Sequence, residues 1–192
     1  MSQAIHHDNS EKMMFGFWVY IMTDCVLFAS LFATYGVLHN NTFGNVSGHD
    51  IFNLPFVLKE TLILLTSSFT CGLAMLAAYQ KQVNAVLGWL AATFILGVSF
   101  LTLELTEFSH LISDGHSYQA SAFLSSFFTL VGTHGLHILA GLTTLIVIAI
   151  FIVRRGLTPE VVRNLGMFSL FWHFLDIVWI FIFTMVYLMG TL

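Results

Sequence analysis

Five apolar runs separated by short polar stretches make up most of the chain. The pattern predicts helices over 15–38, 61–79, 86–105, 122–153 and 165–189. Each is close to or above the roughly 20 residues that a helix needs to cross a bilayer. The fourth run spans 32 positions. At a rise of 1.5 Å per residue this is roughly 48 Å, well beyond a hydrocarbon core of about 30 Å, so it must tilt or protrude. The polar stretches act as punctuation. Residues 1–14 read as a polar tail, 40–53 as an Asn- and Gly-rich loop, 80–84 as a short turn and 110–120 as a second loop. Pro55 and the Lys59-Glu60 pair mark the start of the second run, and Arg154, Arg155 and Arg163 bracket the connection before the fifth. No internal repeat is evident. The expected architecture is all-α: a single integral membrane five-helix bundle over 15–192 behind the tail.

Composition supports a membrane protein. Of 192 residues, 57% are hydrophobic and 8% charged, against about 25% charged in a soluble domain. A net charge of −4 with six Lys and Arg leaves no basic surface for nucleic acid. Cys25 and Cys71 both lie in apolar runs and read as small buried residues, with no disulfide framework or C-x-x-C site. The first run is too long for the apolar part of a signal peptide, and Asp8, Glu11 and Lys12 precede it. The first helix is therefore expected to act as its own insertion signal. Lys12, Lys81, Arg154, Arg155 and Arg163 fall on one side of the predicted membrane and only Lys59 on the other. The positive-inside rule then puts the N-terminus in the cytoplasm and the C-terminus outside. Asn40-Asn41-Thr42 and Asn45-Val46-Ser47 match the glycosylation pattern, which matters only in a secretory pathway.

Charged residues inside the runs are the candidates for chemistry, since an aspartate at the bilayer centre costs about 2.5–3.5 kcal/mol. His173 and Asp176 lie on one face of the fifth helix, inside Phe171-Trp172-His173-Phe174-Leu175-Asp176-Ile177-Val178-Trp179. Counting helical rise from the cytoplasmic ends puts Asp24 roughly 14 Å deep, His173 roughly 12 Å, Asp176 roughly 16 Å and His137 roughly 24 Å. Asp24 and His173 thus share a level, and a charge-assisted hydrogen bond between the first and fifth helices is expected. Asp24 reads either as a structural aspartate hydrogen-bonded between helices or as a proton-relevant or lipid-headgroup-binding group. His134 and His137 sit higher and share a face of the fourth helix. Haem ligation by them would need an opposing histidine at matched depth, whereas His173 lies roughly 12 Å lower, so packing or hydrogen bonding is expected. Glu104 and Glu107 read as interfacial, with Glu107 pairing with His110. The stripe Ser67, Ser68, Thr70 and Gly72 allows close helix approach. His6-His7 can bind metal adventitiously, and the many Phe residues face lipid or fill the core. No phosphate loop, nucleophile elbow or closed metal-ligand set is present, and neither broken helices nor paired repeats suggest a transporter.

Three stretches resemble subunit III of the haem–copper terminal oxidases. They are Gly132-Thr133-His134-Gly135-Leu136-His137, the nine residues from Phe171, and Glu107 followed by Ser113-Asp114-Gly115. Most of the chain aligns with that pattern. Phe15-Gly16-Phe17-Trp18, Thr23-Asp24-Cys25 and Val186-Tyr187-Leu188-Met189-Gly190 are similar to the bacterial cytochrome o ubiquinol oxidase branch. The resemblance implies five helices, where the mitochondrial type has seven. In the cytochrome c oxidase branch, the position matching Asp24 is typically a glutamate known for carbodiimide reactivity and lipid contact; here it is one methylene shorter. The resemblance further implies a non-catalytic subunit of the inner membrane that binds no cofactor itself. Haem, copper and the ubiquinol site would belong to the large subunit I, with subunit II, a small subunit IV and phospholipids as further partners. The expected role is to support the stability and proton uptake of a proton-pumping complex. Two other readings remain: a transporter with Asp24, His137 and Asp176 along its path, and a cytochrome b-like electron carrier.

Overall fold

The computed structural model describes residues 2–39, 54–113 and 121–190. Among the described residues all regular structure is helical, and five helices are long and apolar enough to cross a membrane. They are α1 (Ser2–Leu38), α2 (Leu54–Tyr79), α3 (Val83–Ser113), α4 (Ala122–Arg155) and α5 (Pro159–Ile182), the last continuing into a π-helical turn at Phe183–Leu188.

Every helix but α4 begins or ends well beyond its apolar run. The helices stop where the backbone is capped or broken, and a change of polarity alone does not stop them. α1 extends back to Ser2, because residues 2–12 contain neither Gly nor Pro and adding residues to a formed helix is easy. The backbone there is helical where a loose tail was expected. Pro55 lies in the first turn of α2, where its missing N–H costs nothing, so Lys59 and Glu60 lie inside the helix and do not mark its start. α3 runs two turns past residue 105 and carries Glu107 and His110 within it. Ser121 caps α4, its hydroxyl accepting from Leu124 N at 3.1 Å. Gly156 ends that helix with φ 69°, and its N–H donates to Ile152 O. Arg154 and Arg155 in the last turn complement the helix dipole. Thr158 caps α5 and Pro159 opens it, so Arg163 lies inside α5.

Four of the helices close a ring in which α2 packs on α3, α3 on α4, α4 on α5 and α5 back on α2; α1 lies outside, against α4 and α5. Lipid tails are as apolar as leucine, so close fit rather than water exclusion holds such a bundle together. Trp172 of α5 provides the clearest fit. Its ring fills the space left by two glycines: a Cβ at Gly97 would stand 3.1 Å from it, and one at Gly141 2.7 Å. The bundle has a basic end, with Lys81, Arg154, Arg155 and Arg163, and an opposite end where α2 begins and α3 finishes.

Candidate functional site

Polar side chains inside the bundle fall into three groups. The first ties α5 to α2. Trp172 Nε1 donates to Ser67 Oγ at 3.2 Å and Trp179 Nε1 to Thr61 Oγ1 at 3.1 Å. Ser68 Oγ meets His173 Nδ1 at 2.6 Å. Ser67 and Thr70 continue to α3, through Thr93 O at 3.3 Å and Thr93 Oγ1 at 2.9 Å. In the small polar stripe of α2, Ser67, Ser68 and Thr70 are thus a row of hydrogen-bond partners, while Gly72 faces open space and brings no helix close. Asp176 is buried beside this row.

The second group joins α1 to α4. Asp24 Oδ1 lies 3.7 Å from His137 Nε2, and the Phe28 ring packs on the imidazole at 5.2 Å between centroids. His137 Nδ1 is 2.7 Å from Thr133 O; a carbonyl only accepts, so Nδ1 carries a proton. Nε2 attracts the aspartate only if one further proton lies on either group.

This geometry replaces the expected Asp24–His173 bond. The estimate of level was sound, for Tyr20 packs on Phe171 and Phe28 on Phe174, which places His173 opposite Asp24. Its ring, however, turns toward α2. His137 reaches Asp24 because α4 extends past the level of residue 15: Ile148 and Phe151 line the same groove as Phe17. The two ends taken as one plane were not level. His134 and His137 do not act together either. Three residues differ by about 60° around a helix, enough to send His137 to α1 and His134 into the core. There His134 Nε2 donates to Leu175 O at 3.2 Å, between Phe100 and Trp179.

The third group lies toward the opposite end. Glu60 of α2 is fully buried and Glu104 of α3 is 2% exposed. All four of their carboxyl oxygens are without a hydrogen-bond partner. Half-buried Glu107, one turn further on, accepts from Tyr187 Oη at 3.1 Å, and buried Tyr187 comes from the π-helical turn. On α4, a Cβ at Gly135 would stand 2.9 Å from Glu104 Oε1. Sequence reasoning took Glu60 for a boundary marker and Glu104 for an interfacial residue. The available signal was Pro55, which as a helix opener places Glu60 more than a turn inside α2. Glu107 is held by Tyr187, while His110 is exposed in the last turn of α3. Asp114 and Gly115, part of the Ser113-Asp114-Gly115 motif, lie outside the described residues, as do Asn40 and Asn45.

Residues 3–191 match the family described as cytochrome c oxidase subunit III. The chain belongs to that family. A cytochrome bo(3) ubiquinol oxidase subunit 3 of Pseudomonas aeruginosa is 57% identical over 186 residues, 97% of this chain and 89% of the relative. A quinol oxidase subunit 3 of Bacillus subtilis is 45% identical over 175 residues, 91% of this chain and 86% of the other. A cytochrome c oxidase subunit 3 from a Bacillus species is 43% identical over 175 residues, covering 91% and 84%. Relatives named for both electron donors therefore align along almost the whole of this subunit III, which is a multi-pass membrane protein.

Proposed function

We propose that this chain is the non-catalytic subunit III of a proton-pumping ubiquinol oxidase. The carrying observation is 57% identity, along nearly the whole length, to a protein named as that subunit. On this reading haem, copper and the ubiquinol site belong to the large subunit I, and the chain packs against it together with subunit II and a small subunit IV. It sits in the bacterial inner membrane with residues 1–14 and the basic end in the cytoplasm, as the five-to-one distribution of Lys and Arg favours. Its contribution is to the stability and proton uptake of the complex.

Phospholipid binding fits a groove of about 770 Å³ between α2 and α5 at the basic end. Met75, Ala78, Met167 and Leu170 offer an apolar wall for acyl chains, while Lys81 and Arg163 at the rim suit a phosphate. The transporter reading loses its path, because Asp24 and His137 face each other on the α1 flank while Asp176 lies beside the α2–α5 row.

Gentle purification through a tag on this chain tests the assignment. Haem bands, several larger subunits and quinol-driven oxygen consumption are the expected result. A colourless solitary protein of 21.5 kDa overturns it.

A further inference from the structure

We propose that Glu60, Glu104 and Glu107, closed by Tyr187, form a proton-binding site inside this subunit, in which the carboxyls hold and share protons as one unit. Its ligand is the proton itself, bound at carboxylate oxygen and exchanged with water, with no redox step. The inference concerns this chain's own side chains and does not depend on which electron donor serves the complex.

Three observations carry it. Glu60 and Glu104 are 0% and 2% exposed, and none of their carboxyl oxygens has a hydrogen-bond partner. Among the described residues, the groups facing them bring no cation. α2 contributes Glu60, α3 Glu104 and Glu107, and the π-helical turn Tyr187; these act on one another electrostatically. α4 presents Gly135, and its neighbour His134 gives its Nε2 proton to Leu175 O. Trp179 of α5 donates to Thr61, and the Tyr35 hydroxyl of α1 donates to Val186 O at 3.5 Å. Lys59, next in sequence, is exposed. Carboxylates gathered in a medium of low dielectric cannot all remain ionised, so the group is neutralised by protons and titrates together.

The second observation is that the space is built for the carboxyl. Gly135 leaves the room that Glu104 occupies, and a Cβ there would enter it. The third is the π-helical turn, a distortion often found at functional sites, which brings the buried Tyr187 hydroxyl to Glu107. Half-buried Glu107 is the carboxyl of the three that reaches the outside of the bundle, and proton exchange is assigned to it. A metal does not fit the same residues: among the described residues no three His, Cys, Asp or Glu are placed to hold an ion.

Infrared difference spectroscopy of the intact complex in H₂O and D₂O, stepped through pH, tests the site. The wild type is expected to show a protonated-carboxyl C=O band that shifts in D₂O. The band should lose intensity in Glu60→Gln and in Glu104→Gln, and should persist, shifted, in Glu60→Asp. Glu107→Gln, at the half-buried edge, should keep the band and slow its hydrogen–deuterium exchange several-fold. A wild type without such a band, or a band unaltered by both core Gln exchanges, overturns the proposal. If the core variants do not assemble, Glu60→Asp and Glu107→Gln decide it: an unshifted band with unchanged exchange overturns it.

Discussion

The α2–α5 seam and the carboxyl group near the opposite end both draw on α2 and treat polarity in contrary ways. In the seam each indole N–H has its hydroxyl: Trp172 has Ser67 and Trp179 has Thr61. In the carboxyl group, Glu60 and Glu104 face other acids and a phenol. A satisfied pair in a membrane is worth little, about 0.6 kcal/mol on average. An unsatisfied buried charge costs far more. Neutral donor–acceptor pairs therefore suffice to hold helices in register. A cluster of unmatched acids is kept where protons are wanted, at the expense of stability.

The largest effect expected from breaking this contrast is at Gly135. Gly135→Val drives two methyl groups toward the Glu104 carboxyl and should destabilise the assembled complex by about 3 kcal/mol. Gly132→Ala, one turn earlier with only Phe108 at 3.7 Å, should stay within about 0.5 kcal/mol. Thermal inactivation of the complex compares the two directly. Gly141→Ala probes the seam in the same way: its new methyl meets Trp172, and a loss of about 1–3 kcal/mol is expected.

A double-mutant cycle sharpens the contrast at the next level. Exchanging Glu60 and Glu104 to Gln singly and together should be non-additive by about 1–2 kcal/mol, because the two share one charge balance. The same cycle on Asp24→Asn and His137→Gln should give about 0.5 kcal/mol, since 3.7 Å is too long for a strong hydrogen bond. Equal couplings at the two places would remove the distinction. A similarly small effect is expected for Ser68→Ala, which takes one partner from His173 and should cost about 0.6 kcal/mol in thermal stability.

The helices could be read from the chain because a run such as 165–189 has few ways to exist other than as a membrane-crossing helix. Most of their ends could not. Pro55 and Thr158 set the starts of α2 and α5, where hydropathy pointed to a later residue, whereas the start of α4 at Ala122, behind Ser121, was read correctly. The placement of charged groups suffered accordingly. With α2 beginning at Leu54, Glu60 moves from edge to core, and with α4 protruding at its basic end, His137 drops to the level of Asp24. The seam was half visible: the Ser and Thr stripe of α2 and the two tryptophans of α5 were both apparent. Their pairing required knowing that α5 closes the ring onto α2.

By itself the sequence determined five helices, membrane residence and a family, because hydrophobic length, scarcity of charge and extended motifs are properties of a linear string. Which acid meets which partner belonged to the tertiary structure alone. Rotation by one residue turns a side chain 100° around its helix, and only packing against glycines such as Gly97, Gly135 and Gly141 fixes that rotation. His173 is the clearest case. Its depth could be counted along the chain, but it faces Ser68, and Asp24 is left to His137.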